Sequence, residues 1–244
     1  ILYEGNGLSQ KVGQFQPITE TYTVGSSALY IEDDDCFLER TPGSAGNRRT
    51  WTFSTWFKRC ELTSSVDMTL FSGYGAGDDD GYLTCGFYQN TDQIYIEAWT
   101  AMLRNTTRQF SDPGQWVNFV LAYDSTQSTP GDRIKIYING VEETSFGTSN
   151  DPAEDQDTPI NNTVVQQIGC RASDDTRHLD SYMAETVMID GTRLDASSFG
   201  EVDSTTNRWI PKDVSGLTFG TNGYYLDYAD KNDLGDDESG NGND

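Results

Sequence analysis

The chain has 244 residues, 35% of them apolar and 12% aromatic, with 24 glycines and a formal net charge of −23 from 39 acidic against 16 basic residues. That length suffices for one large β domain whose core needs no staples. The acidic balance argues against nucleic acid or an anionic membrane as partner, and no run approaches the roughly 18–20 apolar residues that span a bilayer.

Residues 1–25 are polar and rich in Gly, Gln and Thr, and they read as an arm or linker. The opening, ILYEGNGLSQ, lacks an initiator Met and a leader pattern, and the chain stops in mid-pattern at DDESGNGND, so a longer polypeptide is expected. From residue 26 the pattern becomes strand-like. SALYIEDDDCFLERT and TWTFSTWFKRC flank a Pro/Gly loop, TPGSAGNRR. MTLFSGYG leads into the acidic turn AGDDDG, and YLTCGFYQN and QIYIEAWT form a hairpin through Asn90-Thr91-Asp92. QWVNFVLAYD alternates well. RIKIYINGVEETSF carries the strongest local signal: Ile134, Ile136 and Ile138 share one face, and Asn139-Gly140 supplies the positive-φ pair of a type I′ turn.

Residues 147–163 form a polar loop, after which VVQQIGCRAS and SYMAETVMIDGTRL add two strands. LDASSFGEV reads as one short helix capped by Asp195. NGYYLDYADKNDLGDDESGNGND begins as a strand and turns acidic and Gly/Asn-rich. Strands recurring roughly every 8–15 residues without alternating helices predict an all-β, two-sheet antiparallel jelly-roll sandwich. The expected organisation is an arm (1–25), a jelly-roll domain (26–228) and an acidic tail (229–244) leading toward a further module. Within TWTFSTWFKR, alternation puts Trp51, Phe53, Thr55 and Phe57 on one face and Trp56 on the other; the first face is expected in the core, with Trp56 outside it or under a loop.

Hydrolysis of a glycosidic bond requires two carboxylates a few ångströms apart. The acidic runs Glu32–Asp35 and Glu154–Asp157 border turns, and Glu185 and Asp190, five apart, fall on opposite strand faces, so no catalytic pair and no enzyme is expected. Cys36, Cys60, Cys85 and Cys170 have no Cys-x-x-Cys spacing and His178 is the single histidine, which argues against zinc and against a Ser-His-Asp triad; disulfide pairing stays open. Asn105-Thr106-Thr107 and Asn161-Asn162-Thr163 match the glycosylation triplet. Asp78, Asp79 and Asp80, on a turn before Gly81, are candidate calcium ligands, with Asp174 and Asp175 completing or replacing them; the competing reading is acidic turns on an acidic protein. Tyr74, Tyr82, Tyr88 and Trp99 are candidates for stacking on sugar rings.

LYIEDDDCFLERTPGSAGNRRTWTFSTWFKR, QWVNFVLAYD, RIKIYINGVEETSF, IGC and SYMAETVMIDGTRLDASSFGE occur in the order of a laminin-G-like, concanavalin A-like jelly roll. Over about residues 25–244 the chain resembles the laminin-G-like domains of structural proteins from marine tailed bacteriophages, in tail fibres or on the capsid surface. That resemblance implies a non-enzymatic module at the virion surface that binds host-surface carbohydrate, contacts other virion proteins and assembles as a homo-oligomer, a trimer by analogy with fibres. Calcium near one sheet edge is a further implication. The competing readings are a purely structural decoration domain and a glycoside hydrolase on the same fold.

Overall fold

A strand whose side chains are buried on both faces must lie in a sheet that is covered twice. The computed structural model, which describes residues 22, 24–31, 36–75, 81–98 and 101–244, puts TWTFSTWFKR in that position. The strands are β1 (Ala28–Tyr30), β2 (Leu38–Arg40), β3 (Thr50–Arg59), β4 (Met68–Tyr74), β5 (Tyr82–Tyr88), β6 (Gln93–Ala98), β7 (Ala101–Gln109) and β8 (Val117–Asp124). They continue with β9 (Ile134–Ile138), β10 (Val141–Glu142), β11 (Phe146–Ser149), β12 (Val165–Ile168), β13 (Ser181–Asp190), β14 (Gly200–Val202), β15 (Trp209–Pro211) and β16 (Tyr224–Leu226). One sheet runs β1-β13-β3-β8-β9-β10, with β16 also on β13; the second runs β11-β7-β6-β5-β4-β12-β2; β14 and β15 form a hairpin. Neighbours are antiparallel, and the two large sheets face each other as a jelly-roll sandwich.

Aromatic rings hold the sheets together. Trp51 stacks on Tyr123 at 5.1 Å and meets Phe71 edge-on, while Phe53 stacks on Phe71 at 4.1 Å. Phe57 meets Phe87 and Phe110 in T-shaped contacts at 5.0 and 5.8 Å. Trp51, Phe53, Thr55 and Phe57 are all buried, as the alternation predicts. Trp56 is buried on the opposite face, among Trp116, Ala184 and Val24, so it lies under the N-terminal segment. At the end of β3 Arg59 is buried over the Phe87 ring and paired with Asp92 at 3.1 Å, a charge kept inside by a carboxylate and a π face.

The outer side of the first sheet is also covered. Val120, Val187 and Ile189 pack under Ala196, Phe199, Val214 and Phe219. The short helix expected there is a single 3-10 turn, Ala196–Ser198, and the Asp195 carboxylate accepts the Ser197 N–H at its start. Asn139 (φ 48°) and Gly140 (φ 82°) join β9 to β10 as the two-residue turn predicted. A Cβ on Gly140 would come within 2.5 Å of the Trp209 ring, so glycine is required there for space as well as for φ. Strand β7, AMLRNTTRQ, has no alternation to announce it; Arg104 is buried in it with its guanidinium paired with Asp151 at 2.5 Å and donating to the Leu103 carbonyl at 2.9 Å. No disulfide joins any of the four cysteines, all of which lie among the described residues, and Asn161 of the second glycosylation triplet is buried.

The loop 41–49, TPGSAGNRR, is fastened by a buried carboxylate. Asp190 accepts the Asn47 N–H at 2.7 Å on one oxygen and the Asn222 N–H at 3.0 Å on the other. The Asn222 amide donates in turn to the Ser44 and Asn161 carbonyls. A Cβ on Gly46 would fall 2.1 Å from the Asp190 carboxylate. The tail closes over the same region: Asp237 accepts the Tyr225 N–H, and the Asn241 and Asn243 amides donate to carbonyls of 220–223. Replacing Asp190→Ala strands two N–H donors, and chemical denaturation is expected to show a loss of about 2–4 kcal/mol, with Gly46→Ala also destabilised.

Candidate functional site

The candidate tyrosines all lie on the second sheet. Leu83, Cys85 and Phe87 of β5 point into the core, so Tyr82, Thr84 and Tyr88 point outward. Tyr74 of β4 pairs with Tyr82 across the ladder, and the two form a half-buried aromatic pair at the end of the hairpin. The Tyr82 hydroxyl donates to Glu97 Oε1 at 2.7 Å, which fixes the ring and sets a carboxylate beside it. Tyr88 stands at the other end of β5, with its ring 5.8 Å from that of Tyr95. Trp99, Asp78, Asp79 and Asp80 lie outside the described residues.

A loop separates these two ends. The segment 170–177 folds back over the outer face: the Ser72 hydroxyl donates to the Cys170 carbonyl at 2.7 Å and accepts the Ala172 N–H at 2.8 Å. Gln167 donates to Asp175 at 2.8 Å, and Arg177 pairs with Asp67. Thr84 and Tyr95, outward-facing residues of the same sheet, are buried. The loop therefore leaves Tyr74, Tyr82 and Glu97 on one side and Tyr88 on the other. His178 is buried with Nε2 3.1 Å from the Asp175 carbonyl, and its role is to hold this loop.

Asp174 and Asp175 are taken up by their own loop. Asp174 accepts from Arg171 and from the Thr176 hydroxyl, and these bonds hold its carboxyl below the usual carboxylate range. Asp175 faces Gln167. Among the described residues no group of three or more His, Cys, Asp and Glu side chains is placed to hold a metal ion, so the described oxygens do not fit a calcium site and no chemistry is derived through one. Cavities open elsewhere among the described residues. One, of about 210 Å³, lies under the tail between Leu38, Phe71, Ile168 and Leu226; another, of about 340 Å³, lies between Phe57, Arg59, Phe110 and Val117.

The most perturbed carboxyl sits on the other sheet. Strand β13 carries a β-bulge between Ala184 and Val187, and Glu185 takes φ 51° in it. Glu185 Oε2 lies at hydrogen-bond distance from the Tyr22 and Tyr225 hydroxyls, 2.8 and 2.7 Å, and the two hydroxyls are 2.8 Å apart. Its Oε1 is buried without a hydrogen-bond partner. Burial pushes the Glu185 carboxyl up to about 7, opposed by the two tyrosine hydrogen bonds and reinforced by the charges of Asp227 and Asp213. The sequence offered a sign of it, an acid in the middle of the largely apolar run SYMAETVMID, but not the bulge that turns it outward.

Two facing antiparallel sheets in this order, with a half-open outer face on one of them, define a concanavalin A-like sandwich. The sequence model of the concanavalin A-like lectin/glucanases superfamily, laminin G type, matches residues 38–197, and the chain belongs to that family. No curated protein matches it in sequence. Among solved structures it is similar to a heptameric pentraxin from Limulus polyphemus (14% identity, 64% of this chain and 70% of that chain, TM-score 0.45). It is also similar to domains LG4-5 of the mouse laminin α1 chain (12% identity, 72% and 45%, TM-score 0.47). A third likeness is to a Trypanosoma rangeli sialidase solved with sialic acid (16% identity, 62% and 22%, TM-score 0.42). The chain thus spans less than half of the laminin fragment and under a quarter of the sialidase.

A group whose carboxyl is raised from its ordinary value binds its proton more tightly in the folded state, so its contribution to stability is lost as pH climbs from about 4.5 through about 7. Glu185→Gln lacks that term. Denaturation at pH 4.5 and pH 8 is expected to show the variant gaining on the wild type by about 3 kcal/mol across the interval.

Proposed function

We propose that the chain is a non-enzymatic carbohydrate-binding module of a bacteriophage virion, carried on a tail fibre or the capsid surface, where it recognises host-surface glycan. The observation that carries the binding reading is the Tyr74–Tyr82 pair with Glu97 hydrogen-bonded beside it: two rings on a rigid ladder and an acceptor held at the Tyr82 hydroxyl suit the apolar face and hydroxyls of a sugar. Membership of a lectin and glucanase superfamily supports the same reading. The resemblance of the sequence to phage structural proteins supports the virion setting, contacts with other virion proteins and a trimeric assembly.

Binding without hydrolysis is favoured by how the described acids are used. Glu154, Asp155 and Asp157 are in ion pairs with Arg133 and Arg49, and Glu185 is buried away from the tyrosine pair. Calcium enters the proposal through Asp78, Asp79 and Asp80, which precede Gly81 and Tyr82 in the sequence.

The test is a glycan-array screen with and without a calcium chelator, followed by titration of the best ligand. Tyr74→Ala and Tyr82→Ala are expected to weaken binding at least about tenfold, whereas Tyr88→Ala, across the loop, changes it less than about twofold. Binding lost on chelation supports calcium, and binding retained removes it. If the array shows no ligand and the domain packs symmetrically in a virion, the carbohydrate reading fails and a structural decoration domain takes its place.

A further inference from the structure

Three oxygens, Glu185 Oε2 and the hydroxyls of Tyr22 and Tyr225, form a closed triangle with edges of 2.7, 2.8 and 2.8 Å. Each edge is hydrogen-bond length, and each hydrogen bond uses one proton. The two phenols supply two; the third must come from the carboxylic acid. A carboxylate there would leave one edge as two oxygens in contact with nothing between them. It would also place charge on a buried group whose Oε1 has no partner.

We infer that this triangle is a proton-dependent clasp: with Glu185 neutral it holds Tyr22 and Val24 against the outer face of the first sheet, and loss of the carboxyl proton releases them and uncovers Trp56 and Trp116. The surroundings set the direction. Glu185 has neutral neighbours on its own strand, Ala184 beside it and Thr186 turned inward to Thr55 and Tyr228. From β16 and the residues after it come Tyr225, Asp227 and Tyr228, from the segment before Val214 comes Asp213, and from the N-terminal side comes Tyr22. The charged groups in this set are acidic and work against a second negative charge. The carboxyl raised to about 7 puts the release near neutrality.

What the clasp covers is aromatic. Val24 packs with Trp56, Trp116 and Ala184, and Tyr22, Tyr182 and Trp209 border that cluster. Opening it trades the apolar contact of Val24 for hydration of one carboxylate, so the protonation state of Glu185 decides between closed and open forms. The bulge is what makes this possible. On a regular strand Glu185 would follow Ala184 onto the inner face; the extra residue keeps both facing the N-terminal segment.

The experiment is acrylamide quenching of tryptophan fluorescence in the full chain between pH 5.5 and 8.5, with Trp56→Phe and Trp116→Phe to assign the signal. The wild type is expected to become about twofold more quenchable with a midpoint near 7, and Glu185→Gln, which keeps a neutral group in the triangle, to stay at the low level throughout. Tyr22→Phe removes one member without disturbing the bulge and is expected to be as quenchable at pH 6 as the wild type at pH 8. A wild type that does not change over this range overturns the clasp, as does a Glu185→Gln profile that matches the wild type. Should Glu185→Gln not fold, Tyr22→Phe decides alone: low quenching at pH 6 overturns the proposal.

Discussion

The spacing of the two sheets is set by the aromatic seam along β3, where Trp51, Phe53 and Phe57 interlock with Phe71, Phe87 and Phe110. Offset and edge-on ring contacts contribute roughly 0.5–1.5 kcal/mol each beyond the area they bury, and together they fix both distance and register. Once β3 is committed to the interior, Trp56 on its other face needs a cover of its own. The N-terminal segment, the β14–β15 hairpin and the 194–219 region supply that cover. The first sheet is therefore buried on both sides, and open ladder surface is left to the second.

On the second sheet, polar anchoring decides which part stays open. Ser72 and Gln167 hold the 170–177 loop over the middle of the face, and Arg177 locks its far end to Asp67. What remains is a short platform at the β4–β5 turn. The Tyr74 and Tyr82 rings there stand on paired strands, a rigid and pre-formed arrangement.

The fold was legible because period-two alternation survives wherever one face is buried: TWTFSTWFKR and RIKIYING announced their strands, and Asn139-Gly140 its turn. Strand β7 was not legible, since Arg104, Asn105 and Thr106 are satisfied by backbone and side-chain partners that only the assembled sheet provides. Of the candidate site, the tyrosines were visible as residues but not as a pair, because what divides Tyr82 from Tyr88 is a loop from much later in the chain. Asp174 and Asp175 illustrate the reverse: two adjacent acids look like ligands in a sequence, yet an arginine three residues before Asp174 and a glutamine on β12 take up their oxygens. Glu185 was noticed only for its spacing from Asp190; a bulge changes which face a residue takes, and composition carries no sign of it.

The strand order also dictates when each sheet is able to form. In the second sheet β4, β5, β6 and β7 are consecutive neighbours separated by few residues in sequence, so their pairing carries little loop-closure cost. In the first, β3 must find β13, with Phe53 opposite Met188, across most of the domain. During synthesis β4 to β7 are thus able to assemble while β3 still waits for a partner that has not been made. An aromatic-rich strand with one open edge is a hazard for as long as that wait lasts. The Lys58-Arg59 pair at its end is the kind of charged stop that limits wrong pairing, and in the finished domain the same Arg59 is folded inward over Phe87.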